Sequence, residues 1–265
     1  MTGSAGALLE PVRLLCREAG RAIMEVYASS FAVEHKEDDS PLTEADLRSH
    51  QVLEAGLRSL WPGVPVLSEE SATVEPGVRR GWDWLWVVDP LDGTREFIKR
   101  NGEFTVNVAL VHRGRPVLGV VHAPALDLDY CAARDLGARR HRGVNHEVIR
   151  AATGIGTPLR VVGSRSHRGS SLDGFLERAA AHELVAVGSS LKFCMVAEGA
   201  ADVYPRLGPT SEWDTAAGQC VLEQAGGRVV ELNGEPMRYN QRDTLLNPNF
   251  VACSAAAFDW TAWLN

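Results

Sequence analysis

The chain has no surplus of positive charge, no closely spaced pair of cysteines and no long apolar run. Its 27 Lys and Arg stand against 34 Asp and Glu, for a formal net charge of −7. A broad nucleic-acid surface needs the opposite balance, so a polyanionic ligand must be met by a local positive patch or by metal ions. The five cysteines, Cys16, Cys131, Cys194, Cys220 and Cys253, are odd in number, widely spaced and without a C-x-x-C pair. They read as reduced, buried thiols of a cytosolic protein, not as a disulfide framework. No apolar stretch approaches the roughly 18 to 20 residues of a membrane span. Met1–Glu10 has neither the basic start nor the apolar core of a secretory leader. The P-loop, H-E-x-x-H and G-x-S-x-G signatures are missing, and Gly154-Ile155-Gly156 lacks the third glycine of a dinucleotide fingerprint. What is there is ordinary globular material, 45% hydrophobic and 23% charged over 265 residues, enough for one large domain or two modest ones.

Apolar spacing predicts a helix from Leu8 to Tyr27 and a second from Thr43 to Leu60, ended by Pro62, Gly63 and Pro65. Short β-branched and aromatic runs predict strands at Val64–Leu67 and Trp82–Val88. A hairpin is expected from Phe104–His112 and Pro116–Ala123, and a strand at Tyr130–Ala133. Arg134–Pro158 reads as irregular, polar and glycine-containing. Beyond it, strands at Leu159–Gly163, Leu184–Val187 and Ala201–Tyr204 alternate with helices at Ser171–Ala181 and Ser190–Glu198. A helix at Trp213–Ala225 and strands at Arg228–Glu231 and Phe250–Ala252 follow. We expect an α+β domain over residues 1–135, carrying most metal ligands, and an α/β domain over 136–265, carrying Asp214 and the nucleotide-binding residues.

The densest chemical signal lies between Ser68 and Thr94. Glu69-Glu70 closes one expected strand, and Asp89-Pro90-Leu91-Asp92-Gly93-Thr94 closes the next. Hard cations such as Mg²⁺ take oxygen ligands, carboxylates above all. Pro90 restricts the backbone, so both aspartates and the Leu91 carbonyl can converge. Gly93 admits a phosphate close to the main chain, and Thr94 adds a hydroxyl. The same residues also suit a plain surface turn, a reading that the neighbouring Glu69-Glu70 weakens. Thr43–Asp46 and Ser211–Asp214 each fit a helix capping box, which by local pattern alone accounts for Asp46 and Asp214. Arg165, His167 and Lys192 can equally be solvated surface residues.

Glu69-Glu70, then Asp89-Pro90-Leu91-Asp92-Gly93-Thr94, then Trp213-Asp214-Thr215-Ala216-Ala217-Gly218, resemble the three motifs of the inositol-monophosphatase-like superfamily of metal-dependent, lithium-sensitive phosphatases. Segments 65–70, 91–97, 99–107, 164–167 and 188–193 are similar to the bacterial 3′(2′),5′-bisphosphate nucleotidases of the CysQ type. The resemblance implies a five-layer α-β-α-β-α sandwich. It also implies hydrolysis of adenosine 3′,5′-bisphosphate, a by-product of sulfate assimilation, to AMP and phosphate by water activated on two or three Mg²⁺ ions. Implied metal ligands are Glu69, Asp89, the Leu91 carbonyl, Asp92 and Asp214. Asp46 and Thr94, with Glu69, would serve catalysis, and Gly93 and Thr94 would hold the scissile phosphate. His167, Ser189, Ser190, Lys192, Arg206 and Asp214 would bind the rest of the substrate, with Ser189, Ser190 and Lys192 near a helix start that can receive an anion. The nearest competing substrate is an inositol phosphate or a sugar bisphosphate. A covalent aspartyl phosphatase would use different chemistry, and an inactive binding relative should have lost a ligand. The expected enzyme is cytoplasmic, with no nucleic-acid polymer as partner; homodimer formation and peripheral attachment to the inner membrane stay open.

Overall fold

The computed structural model describes residues 5–35, 41–71, 74–165, 170–179 and 181–254. Helix α1 (Ala5–Tyr27) buries Val12, Cys16, Ala19, Ile23 and Val26, a stripe with the three-and-four spacing of one helix face. The strands β1 (Val33–His35) and β2 (Pro41–Thr43) form a small antiparallel pair. Helix α2 (Glu44–Leu60) buries Ala45, Ser49, Leu53 and Leu57 in the same way.

A seven-stranded sheet follows, with its strands in chain order: β3 (Val66–Ser68), β4 (Trp84–Asp92), β5 (Thr105–His112), β6 (Arg115–Ala123), β7 (Leu128–Ala133), β8 (Gly137–Arg142) and β9 (Asn145–Ile149). The short helix α3 (Pro76–Arg79) precedes β4, and α4 (Thr94–Ile98) follows it. Only β3 and β4 pair in parallel. The second sheet has the order β11-β10-β12-β14-β13. It is built from β10 (Leu159–Ser164), β11 (His182–Val187), β12 (Val203–Arg206), β13 (Arg228–Glu231) and β14 (Phe250–Cys253). Helices α5 (Ser170–Arg178), α6 (Leu191–Ala197) and α7 (Glu212–Gln224) connect them.

Strand alternation sets the layers. Trp86 and Val88 of β4 pack with α1 and α2 in one core, while Leu85 and Val87 face α6 and α7 in another. That second core also takes Val162, Tyr204, Phe250 and Ala252 from the second sheet. The opposite face of that sheet, with Val161, Val203 and Val251, packs on Leu172, Phe175 and Leu176 of α5. The order is therefore α1/α2, first sheet, α6/α7, second sheet, α5, the expected five layers. Each fully buried Val, Leu or Phe contributes roughly 1.5–3 kcal/mol. Gly218 lets α7 approach α6, because a Cβ there would lie 2.7 Å from the Phe193 ring.

The stretch 134–158 departs from expectation. It contains the hairpin β8–β9, turned at Gly143-Val144, and the first sheet runs on to Ile149. These strands are largely exposed, so no alternating apolar face marks them. The small β1–β2 pair and α3 and α4 also escaped the pattern reading. All five cysteines are free and buried. Among the described residues no helix is long and apolar enough to cross a membrane.

Candidate active site

The site starts from an irregularity in β4. Residues three apart on a regular strand face opposite sides of the sheet, which would separate Asp89 from Asp92. The pairing shifts between them: Asp89 sits opposite Asn107, and Asp92 opposite Thr105. Three steps along β4 thus match two along β5, a bulge with one extra residue. The bulge turns both carboxylates to one side. Ser49 Oγ of α2 donates to the Pro90 carbonyl at 2.7 Å and pins it from beneath.

Asp214 arrives at the same place from the first turn of α7. Its Oδ2 accepts the Ser211 N–H at 2.8 Å, so the capping role read from the sequence is real. It also brings a ligand oxygen within 4.8 Å of those of Asp89 and Asp92. Capping and clustering coexist. Glu69 and Glu70 lie on the turn of 3₁₀-helix that follows β3, the parallel neighbour of β4. Asp46, at the start of α2, accepts from Thr43 N at 2.8 Å and Thr43 Oγ1 at 2.7 Å, again a capping box. Its other oxygen, Oδ1, lies 3.4 Å from Thr94 Oγ1, which is also 3.3 Å from the Leu91 carbonyl. Gly93 has φ +89°, and a Cβ there would stand 3.2 Å from the Glu103 carbonyl, so no other residue fits without strain.

Glu69, Asp92, Gly93, Thr94 and Asp214 line a cavity of about 230 Å³ together with Ser189, Ser190, Lys192 and Arg206. Lys192 is 6% exposed; its ammonium donates to the Ser189 carbonyl and stands 5.5 Å from the Tyr204 ring centre. Arg206 donates from Nη2 to the Pro209 carbonyl at 2.6 Å, while its Nε is buried with no hydrogen-bond partner among the described residues. The hydroxyl of Ser189 donates to Asp92 Oδ2 and that of Ser190 to Asn107 Oδ1. Both serines line the cavity, with their hydroxyls bonded within the protein. His167 lies outside the described residues. Pattern reading missed Thr105 and Asn107, although two polar residues in the otherwise apolar strand β5 were a usable signal.

Burial raises Asp89 well above the usual carboxylate range, helped by the charges of Glu69, Asp92 and Asp214. Burial, then Asp92, pushes Asp214 up to about 8. Burial also raises Asp46 to about 6, against the Thr43 hydrogen bonds, and lowers Lys192 to about 8. Three crowded carboxylates, two of them reluctant to ionise, are a donor set that a hard divalent cation fits. A stability consequence follows. With no cation bound, Asp214 keeps its proton in the fold to about pH 8, whereas the unfolded chain loses it near the usual 3.8. The native state then binds more protons, so the contribution of Asp214 to stability is fullest below about pH 4 and falls as pH rises toward 8. In chelator, Tm is expected to drop from about pH 5 to 8, with a shallower slope for Asp214→Asn and in Mg²⁺. Equal slopes for wild type and variant would contradict the clustering.

The inositol monophosphatase family profile matches residues 8–261. A Salmonella typhimurium protein named 3′(2′),5′-bisphosphate nucleotidase CysQ is 49% identical over 246 residues, covering 92% of this chain and 98% of its own. The crystal structure of CysQ from Bacteroides thetaiotaomicron superposes with a TM-score of 0.80 at 40% identity, over 91% of this chain and 94% of that one. A Thermotoga maritima IMPase gives 0.78 at 26% identity, over 96% and 94%. Layer order, clustered aspartates and sequence identity over nine-tenths of the chain agree: the chain belongs to the inositol monophosphatase family.

Proposed function

We propose that this chain is a Mg²⁺-dependent 3′(2′),5′-bisphosphate nucleotidase that hydrolyses adenosine 3′,5′-bisphosphate to AMP and phosphate. The observation that carries the reading is the mixed lining of one cavity, which takes the carboxylates of Glu69, Asp92 and Asp214 together with the cationic side chains of Lys192 and Arg206. A nucleotide bisphosphate has one phosphate to be cut and one to be held. The first suits cations bound by the carboxylates, and the second suits the basic side chains. The Arg206 guanidinium, among the groups lining the cavity, offers a phosphate charge-assisted donors.

Asp89, Asp92, Asp214, Glu69 and the Leu91 carbonyl are assigned to holding two or three Mg²⁺ ions. Bound there, Mg²⁺ supplies charge neutralisation at the phosphoryl oxygens and makes water more acidic. The chain does the rest. Thr94 Oγ1 and Asp46 Oδ1 together orient the attacking water, and Asp46 accepts its proton. With a pKa of about 6, Asp46 is ionised at neutral pH yet basic enough to act. The water oxygen bonds to phosphorus as the bond from phosphorus to the ribose 3′ oxygen breaks in line, with no phosphoenzyme, and the departing 3′ oxygen takes a proton from a solvent water to become the hydroxyl of AMP. Gly93 and Thr94 hold the transferred phosphate at the opening of α4. Five free thiols support a reducing, cytoplasmic setting.

The deciding measurement is phosphate release from adenosine 3′,5′-bisphosphate beside inositol 1-phosphate and a sugar bisphosphate, with and without lithium. A preference for the nucleotide by at least about tenfold in kcat/KM, with lithium inhibition at limiting Mg²⁺, is expected. Preference for either of the two competing substrates would replace the reading.

A further inference from the structure

The two oxygens of Asp92 stand in different surroundings. Oδ2 accepts from the Ser190 backbone N–H at 2.7 Å, from Ser189 Oγ at 2.8 Å and from Asn107 Nδ2 at 3.2 Å. A carboxylate oxygen has room for about two strong hydrogen bonds, so Oδ2 is saturated before any cation arrives. None of the three donors belongs to β4. Two come from the turn between β11 and α6, and one from β5.

The donors are themselves fixed. Ser190 Oγ donates to Asn107 Oδ1 at 2.7 Å, which turns the amide nitrogen of Asn107 toward Asp92. Thr105 Oγ1 lies 2.5 Å from Ser189 Oγ and 2.9 Å from Ser190 Oγ. Thr105 Oγ1 also lies 3.0 Å from Asn107 Oδ1, which it can reach as a donor, so one hydroxyl ties both serines and the asparagine into a single network around Asp92. Ser189 adopts φ +54° to reach its place, a left-handed conformation that serine seldom takes. The Lys192 ammonium, donating to the Ser189 carbonyl, secures it there.

We propose that Ser189, Asn107 and Thr105 are positioning residues for Asp92. They hold Oδ2, leave Oδ1 as the oxygen offered to the cation, and fix its direction. The proposal rests on the reading of the aspartate cluster as the cation site. Outer hydrogen-bond partners of metal ligands typically change affinity about 10- to 100-fold.

The test is a Mn²⁺ titration of the full chain after chelation, followed by calorimetry, with thermal unfolding in chelator alongside. Ser189→Gly removes the hydroxyl yet suits φ +54°, so the fold should be as stable as wild type or more so. Mn²⁺ affinity is expected to fall about tenfold in Ser189→Gly and in Asn107→Ala. The effect of Ser189→Gly should disappear when Asp92 is already asparagine, since a residue acting through another has no effect without it. Wild-type affinity in Ser189→Gly, beside a weakened Asp92→Asn, would overturn the positioning role alone. A loss of equal size in the Asp92→Asn background would do the same. Unchanged affinity in Asp92→Asn would remove the cation site itself, and this proposal with it.

Discussion

Asp92→Asn should lower kcat/KM by about a thousandfold while raising the stability of the cation-free protein. The activity loss follows from charge and direction. Cation catalysis at a phosphoryl group is worth several kcal/mol, and about 4 kcal/mol is a thousandfold in rate. The amide keeps the shape. Its carbonyl oxygen replaces Oδ2, the only oxygen able to accept from Ser189, Ser190 and Asn107 together. The amide NH₂ must then take the place of Oδ1 and turn a donor toward the cation. The stability gain has the opposite origin. Asp92 is one of the charges that push Asp89 and Asp214 up, so neutralising it relieves repulsion. Phosphate release and Tm in chelator, measured on one preparation, check both halves. Near-normal turnover would sink the cation assignment, and a lowered Tm would mean the network tolerates the amide poorly.

Arg206→Ala is the second large expected effect, and it is a ratio. Hydrogen bonds to charged groups are worth roughly 1.5 to 3 kcal/mol, so losing one to the held phosphate should cost about ten- to a hundredfold in kcat/KM for adenosine 3′,5′-bisphosphate. Hydrolysis of 3′-AMP, which carries no second phosphate, should be spared. The net charge of −7 offers no general attraction that could compensate. Lys192→Ala should also depress the ratio, but with some loss on both substrates, because the same ammonium supports the Ser189 carbonyl. Equal losses on both substrates in Arg206→Ala would remove the physical basis of the bisphosphate reading and favour an inositol or sugar phosphate.

Local chemistry carried much of this structure, but not all of it. The stripes of α1 and α2 and the alternation of β4 and β5 are each written in consecutive residues. The hairpin β8–β9 is not: β9 is an exposed edge strand and β8, paired on both sides, buries only Ala138, so neither carries an apolar face. At the site, Asp89 and Asp92 announced themselves as a dense acidic turn. Asp214 did not: its capping box explains it fully at the local level, and only the resemblance drew it to the other two. The role of Thr105 and Asn107 depends on cross-strand register and on a turn more than eighty residues later, neither of which any short window contains. The serines of that turn were read for their place before a helix; their hydrogen bonds to Asp92 and Asn107 lie beyond any local pattern.

The bulge in β4 makes the site a matter of parity. Along a strand, odd and even positions belong to different faces, so a segment joining two groups on one face must span an even number of strand steps. Asp89 and Asp92 are separated by an odd number, corrected by one supernumerary residue. If the same three steps ran as regular strand, the Asp92 carboxylate would point through the sheet toward α2; losing the extra residue would instead leave a regular two-step spacing on one face, without the bulge that places the Pro90 carbonyl on Ser49. Loop lengths elsewhere in the chain can drift by a residue at little cost, but between these two aspartates residue count and bulge must match: an odd number of steps needs the extra residue, an even number needs none.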